Sequence, residues 1–309
     1  MRRSLSADEH RVLSNGAIVG WAVGLLVLAA GSVITLWSLL GSGGPNASVR
    51  LDIIRTAFSI VVGGGGAAGL LLAARRQRAT ELDLRQRDHD AAETRVTELY
   101  GKAADQMGSD KAPVRLAGIL ALERLAQGHP EHRQTIVDLI CAYLRMPRED
   151  DVSAAQEEEV RRTAQGVLAA HLRPEEASRF WPDVRLNLSG ARLQSFTFAR
   201  CSVRTASFAD ARFHGAAVFR GTTFDRSADF RNVRFTGLAD FRRVTFGGEG
   251  PNFRGTSFEG AVDFGEHTTA VLTGAAASED DGSRRKWPSG WVAEPSAERP
   301  GWANLVRER

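Results

Sequence analysis

Two stretches of the chain are apolar and uncharged, and each is long enough to predict a membrane-spanning helix. No charged residue occurs over 12–49, and the most apolar part, 16–40, would extend about 37 Å as a helix. The second stretch covers 56–74 and is also uncharged. Together they predict two transmembrane helices, joined by an external loop over 41–55 and preceded by a short N-terminus over 1–15.

Basic residues flank the two predicted spans on the side away from the loop. They are Arg2, Arg3, Arg11, Arg75, Arg76 and Arg78. Because positive charge favours the cytoplasmic side, both termini are expected in the cytoplasm. Neither span carries an ionisable residue at mid-depth, which argues against a transporter. Four glycines at 63–66 allow two interpretations. They form a face that packs against the first span or against a second copy of the chain, or they have no packing role in the helix.

The segment 75–180 is rich in both charge signs and predicts a cytoplasmic helical domain. A charged helix is expected over 75–107, followed by helices over 113–127, 131–145 and 153–172. The helix over 113–127 is apolar around most of its circumference, so it must be buried. This domain is either a docking module or a helical cap on the segment that follows, and the cap is the favoured interpretation.

From residue 181 onward, large apolar residues recur at intervals of five or six. The series is Leu188, Leu193, Phe198, Val203, Phe208, Phe213, Phe219, Phe224, Phe230, Phe235, Phe241, Phe246, Phe253, Phe258 and Phe264. Residues five apart point in unrelated directions on a helix and to opposite sides of a flat strand. A chain that turns a corner every five or six residues returns each side chain to one interior. The series therefore predicts a narrow solenoid over 181–270, with these residues as its core.

A second series of small or β-branched residues precedes the central positions by two. Its members are Ala191, Cys201, Ala206, Ala211, Ala217, Thr222, Ala228, Val233, Ala239, Val244, Thr256 and Val262. A small residue beside a large one lets neighbouring coils stack at the strand spacing of about 4.8 Å. Glycines follow several centres by two residues and predict corners with positive φ: Gly190, Gly215, Gly221, Gly237, Gly255 and Gly260.

The stretch SFADARFHGAAVF shows both series and resembles the pentapeptide-repeat family, whose repeat is written A(D/N)LXX. The resemblance implies a right-handed, four-sided β-helix of about 20 residues per coil, hence roughly three and a half to four coils over 188–264. Units such as ADFRNVRF and ADFRRVTF are similar to a degenerate, Phe-rich variant with slightly wider coils. Two spans and a helical segment before the repeats are similar to bacterial membrane members of the family. The expected class is α+β: a two-span transmembrane hairpin, a helical linker domain and a pentapeptide-repeat solenoid in the inner (plasma) membrane.

Charge is close to balance, with 40 Lys and Arg against 37 Asp and Glu. This balance argues against a nucleic-acid partner, and it disfavours the alternative of a topoisomerase-protecting DNA mimic, which needs an acidic surface. The solenoid itself carries a small excess of arginine. Its outward arginines form a candidate interaction surface for an unidentified protein or for anionic lipid, although a solvated mixed-charge face is the simpler interpretation. The candidates are Arg212, Arg220, Arg231, Arg234, Arg242 and Arg243.

No motif in the chain indicates catalysis. A phosphate-binding glycine loop, a nucleophile elbow and an HExxH motif are absent from the sequence. His129 and His132 lie in a predicted turn with no third ligand, and Cys141 and Cys201 form no CxxC pair. The sequence therefore predicts a non-catalytic scaffold with no catalytic, cofactor or metal site, and an unrecognised enzyme is the remaining alternative.

The segment 271–309 is rich in small, polar and charged residues, which predicts disorder. Trp287, Trp291 and Trp302 suggest two other outcomes. The segment folds back to cap the last coil, because an open solenoid end invites edge association, or it acts as a free peptide ligand.

Overall fold

The computed structural model describes residues 47–147, 154–279 and 282–308, together with 20, 23, 24, 27, 30–35, 37 and 38. The predicted N-terminus over 1–15 lies outside the described residues, as does much of the first predicted span. The residues of that span that are described are helical. The chain divides into two units, Met1–Ala92 and Glu93–Arg309.

A single long helix, α1 (Ala47–Met107), contains both the second predicted span and the charged helix expected after it. It begins inside the segment 41–55 that was expected to be a loop, because 47–55 lack a strong helix breaker. Among the described residues, no helix combines the length and the apolar character needed to cross a bilayer. The two-span hairpin stays a prediction.

Three further helices form a small bundle in the second unit: α2 (Ala112–Gly128), α3 (Arg133–Arg145) and α4 (Ala154–His171). A short 3₁₀ turn, Pro130–His132, joins α2 to α3. The bundle core is apolar and fully enclosed; it includes Ile119, Leu122, Ile136, Val137, Ile140, Leu144, Ala164 and Leu168. The last turns of α1 pack against α2 at Gly118, where an added Cβ would lie 2.8 Å from the carbonyl oxygen of Ala103.

Sixteen short strands follow within the described residues. They are β1 (Arg185–Asn187), β2 (Arg192–Gln194), β3 (Ser202–Ser207), β4 (Arg212–His214), β5 (Ala217–Val218), β6 (Thr223–Asp229), β7 (Arg234–Phe235), β8 (Ala239–Asp240), β9 (Thr245–Phe246), β10 (Gly250–Asn252), β11 (Ser257–Phe258), β12 (Val262–Asp263), β13 (Ala276–Ser278), β14 (Arg285–Lys286), β15 (Trp291–Pro295) and β16 (Trp302–Arg307). They form three sheets. The strand order is β1-β3-β6-β10 in the first sheet, where β9 also pairs with β6. It is β15-β16-β13-β11-β7-β4-β2 in the second sheet and β14-β12-β8-β5 in the third. The fold is therefore α+β with a β-solenoid.

Parallel pairing between successive coils sets the size of the solenoid. Arg185 pairs with Thr205, 20 residues later, whereas Ala217 pairs with Ala239, 22 residues later. The six-residue intervals of the sequence therefore widen the coils, as expected. The solenoid has about five turns rather than four, because pairing continues beyond the phenylalanine series to β13 and β14.

Columns of stacked aromatic rings fill the interior. Phe208, Phe230 and Phe253 stack with centroids 5.1 and 4.8 Å apart, and Phe219, Phe241 and Phe264 stack at 5.0 and 4.8 Å. A third column joins Phe213, Phe235 and Phe258 at 4.9 and 5.3 Å. The central residues are buried, apart from the half-buried Phe246. Phe196 adds a ring at a position where the other coils carry small residues.

The helical bundle covers the first coil. The side-chain amide of Gln134 on α3 accepts from the backbone N–H of Arg185 at 2.9 Å and donates to its carbonyl oxygen at 2.9 Å. It thereby takes the place of a neighbouring strand at the edge of β1. The backbone N–H of Ser202 donates to the carbonyl oxygen of Leu172 at 2.7 Å. These contacts make the bundle a cap on the solenoid.

The last coil is covered by an antiparallel hairpin formed by β15 and β16. Strand β16 pairs with β13, and Leu305 on β16 is buried. Trp287 packs edge-on against Phe258 with centroids 5.5 Å apart. The described part of the C-terminal segment is thus ordered, whereas its composition predicted disorder. The reason is that the exposed edge of β13 supplies a partner that composition does not record.

Candidate interaction surface

Strand alternation turns the candidate arginines outward. In β2 and β4 the central residue is buried and both neighbours are exposed, which follows from the two-residue period of a strand. All six candidates reach the surface, with Arg242 the least exposed. They occupy different places: Arg212 and Arg234 lie on one sheet face, whereas Arg220, Arg231, Arg242 and Arg243 lie at corners.

Two corner arginines are held by an aspartate two residues earlier. The carboxylate of Asp229 accepts from the backbone N–H of Arg231 at 3.1 Å and from its guanidinium at 2.7 Å. Asp240 accepts from Arg242 in the same way, at 3.1 and 2.7 Å. Each carboxylate closes an Asx turn as the chain leaves the central phenylalanine. Arg231 and Arg242 therefore help to stabilise the turns at their corners.

These corner pairs are ionised at neutral pH. Burial opposes ionisation of Asp240, but hydrogen bonds and charge from Arg242, aided by the charge of Arg220, lower its pKa below the ordinary value. Hydrogen bonds and charge from Arg231 likewise outweigh burial and lower the pKa of Asp229. The positive charge at these corners is largely compensated, so it contributes little to attraction of a distant anion.

The sheet face of β2, β4 and β7 has a different charge pattern. Arg192 pairs in register with Arg212, and Arg212 pairs in register with Arg234. All three side chains are exposed. We call this row the arginine ladder (Arg192, Arg212 and Arg234). Only Arg234 is close to a carboxylate, with Nε 3.4 Å from Glu259 Oε1; within the described chain, neither of the other two forms an ion pair.

Two buried polar side chains at the junction between bundle and solenoid, those of His171 and Arg161, have hydrogen-bond partners within the chain. His171 is 2% exposed, and its ring nitrogens lie 2.7 Å from Glu123 Oε1 and 2.7 Å from the carbonyl oxygen of Arg179. The imidazole stacks on Trp181 with centroids 4.0 Å apart. Arg161 is also buried and donates to the carbonyl oxygens of Leu144 and Arg192. These contacts fix the position of the helical bundle on the first coil of the solenoid.

The two cysteines and the histidine pair singled out in the sequence lie in environments that do not activate them. Burial raises the pKa of Cys141 and of Cys201 to about 12, so both thiols are protonated at neutral pH. His129 lies 3.2 Å from Glu131, and His132 lies beside it at a ring distance of 6.2 Å. In the described part of the chain, no group of three His, Cys, Asp or Glu side chains could hold a metal ion.

Sequence reasoning treated the outward arginines as one set and missed the aspartates that divide it. A signal was present: Asp229-Phe230-Arg231 and Asp240-Phe241-Arg242 repeat the same tripeptide, and Asn252-Phe253-Arg254 varies it. The Asn252 side chain indeed accepts from the backbone N–H of Arg254 at 3.1 Å. The sequence could not predict that Arg192, Arg212 and Arg234 lie in register. That register depends on the number of residues in each coil, which the periodicity predicts only approximately.

Comparison with known proteins identifies the repeats. Residues 219–266 match the family model described as "Pentapeptide repeats (9 copies)". No curated protein and no solved structure matches the chain. The family match and the β-solenoid together confirm the resemblance read from the sequence: residues 219–266 are pentapeptide repeats.

Proposed function

We propose that this pentapeptide-repeat protein is a non-catalytic scaffold, anchored in the bacterial inner membrane, that presents its solenoid to a protein partner in the cytoplasm. The observation that best supports this proposal is the stacked aromatic interior of the solenoid. Because three columns of rings lock each coil to the next, the outward positions of neighbouring coils keep a fixed spacing. A fixed array of exposed side chains is suited to binding a partner protein. Catalysis instead requires several reactive groups that converge on one point.

The membrane anchor is supported by the exposure of apolar side chains in the first unit. Phe58, Val62, Leu70 and Leu71 are 61–74% exposed on α1. An added Cβ at any glycine of 63–66 would meet no atom within 4 Å. A helix that is apolar around its circumference needs a covering medium, and lipid supplies one. Arg75, Arg76 and Arg78 follow directly and favour a cytoplasmic location for the rest of the chain.

Matched arginine substitutions test the anchor in the full-length chain. Val27→Arg with Val62→Arg places a charge in each proposed span, at an expected cost of about 2.5–3.5 kcal/mol per residue. Leu82→Arg with Leu84→Arg is the control, because these leucines are similarly exposed but lie beyond the basic cluster. After alkaline carbonate washing, we expect the wild type and the control in the membrane pellet and the first variant depleted from it. Recovery of the wild type in the supernatant would refute the anchor.

Photo-crosslinking in cells tests the scaffold. A crosslinking residue replaces Arg220 or Arg243 at neighbouring corners, or Glu98 on α1 as a control position. We expect one discrete protein adduct shared by neighbouring corner positions and missing from the control. The same background of adducts at all three positions would contradict a defined partner face.

A further inference from the structure

We infer that the arginine ladder is a docking surface for an anionic lipid bilayer. The inference refines the proposed function, since it names a second ligand of the scaffold and the residues that contact it. It rests on the membrane anchor for its effect in the cell, but the ladder itself can be tested without the anchor.

The first support is the arrangement of charge. Like charges directly opposite on neighbouring strands destabilise a sheet. Arg192, Arg212 and Arg234 repeat this arrangement over three consecutive coils at the strand spacing of about 4.8 Å. Elsewhere on the solenoid, Arg231 and Arg242 have aspartate partners. The ladder thus lines up three arginines with one nearby carboxylate, Glu259, and an external anion would relieve the remaining repulsion.

The second support is that the side chains flanking the ladder along its own strands are polar. The other outward positions on these strands and the residue after β7 are Gln194, His214 and Thr236. Protein interfaces usually draw their binding energy from a central cluster of buried aromatic or aliphatic side chains. A flat face with arginine and polar neighbours offers no such cluster. It can still bind a plane of phosphate groups, since each basic residue near an anionic membrane surface contributes on its own.

The third support is proximity in the chain. The proposed anchor would hold the solenoid near a membrane, so even weak docking would act at high effective concentration. Docking would then set which faces of the solenoid remain available to a protein partner. The corner arginines Arg220 and Arg243 lie off the ladder strands and would stay accessible.

Vesicle binding by the second unit, 93–309, tests the ladder separately from the anchor. This unit contains a continuous hydrophobic core of its own, and circular dichroism and thermal unfolding check that each variant is folded. Three proteins are compared: wild type, a ladder variant with Arg192→Gln, Arg212→Gln and Arg234→Gln, and a control with Arg204→Gln, Arg226→Gln and Arg254→Gln. Both variants lose three positive charges, and the control residues are exposed on other parts of the solenoid.

We expect wild type and control to co-sediment with vesicles containing phosphatidylglycerol but not with neutral phosphatidylcholine vesicles. The ladder variant should bind about a hundredfold more weakly, which follows from about a fivefold contribution per arginine. Equal weakening in both variants would overturn the inference in favour of diffuse charge. Absence of wild-type binding would also overturn it, as would preferential binding of wild type to polyglutamate, which would assign the ladder to an acidic protein. None of these results bears on carbonate extraction of the full chain, so the anchor and the ladder can fail independently.

Discussion

Single carboxylates at the corners show how one residue sets the path of the chain. Asp240 is 2% exposed, accepts the backbone N–H of Arg242 and pairs with its guanidinium. Asn252, which pairs in register with Asp229 of the preceding coil, makes only the backbone hydrogen bond. A side-chain oxygen therefore supports the turn at both corners, and the charge of Asp240 adds an ion pair to it. The small residues, the phenylalanines and the polar corner residues thus have separate roles within each repeat.

Asp240→Asn is expected to keep the turn and to lose the ion pair, lowering the free energy of unfolding at pH 7 by about 1 kcal/mol. Because the folded-state pKa of Asp240 is lowered, its contribution is present above its unfolded pKa of about 3.9 and is lost as pH falls through the folded value. The difference between variant and wild type should therefore shrink as pH falls below about 4.

Thermal unfolding of the second unit over a series of pH values measures this difference. Asp225→Asn is the control, because Asp225 is exposed on a neighbouring face. A constant difference between Asp240→Asn and wild type from neutral to acid pH would show that the ion pair does not stabilise the fold.

Elements of the solenoid meet closely where glycines stack at one corner. Gly215, Gly237 and Gly260 occupy equivalent places in successive coils, and an added Cβ at Gly260 would lie 2.7 Å from the carbonyl oxygen of Gly237. The sequence predicted positive φ at all three. Only Gly215 has it, with φ of 72°, whereas Gly237 and Gly260 are required by the close approach of backbones. The prediction of positive φ was wrong for these two because space between coils is a tertiary property.

Gly260→Ala is expected to destabilise the second unit by about 1–3 kcal/mol, since the new methyl group meets backbone that can move little. Gly166→Ala on α4 is the matched control. It meets no atom within 4 Å and should be neutral or stabilise the helix by up to about 1 kcal/mol. Chemical denaturation of both variants measures the effect. Equal stability of the two would contradict the close approach at this corner.

The two ends of the solenoid are each closed by a different element. The helical bundle covers β1 with side-chain and backbone hydrogen bonds, and the hairpin of β15 and β16 covers β13. An uncovered strand edge is a template for association with another chain. The outermost strand of this sheet, β15, ends at Pro295, a residue that cannot donate to a further strand.

Leu305→Asp is expected to displace the hairpin and to cause association of the second unit, because it places a charge at a buried position. Asn304→Asp adds the same charge at the neighbouring exposed position and should leave the protein monomeric. Light scattering during concentration distinguishes the two. A monomeric Leu305→Asp variant with an intact hairpin would show that β16 is not needed to protect the edge.

At the scale of the whole molecule, the solenoid and the long helix pose different physical problems. The second unit buries its apolar residues within one continuous core that runs from the helices into the coils. In the first unit, apolar residues such as Phe58 and Leu70 stay exposed. Their stabilisation has to come from a medium or a partner outside the unit, which is the physical basis of the proposed anchor.

The sequence by itself determined the α+β class, the four helical segments of the middle region and the solenoid with its core. These features follow from periodicity, which is local and survives in a single sequence. The tertiary structure alone decided the fifth turn, the ordered C-terminal hairpin and the register of the arginine ladder. Each of these depends on which residues of different coils lie side by side, and that is set by a coil length that varies between 19 and 23 residues along the chain.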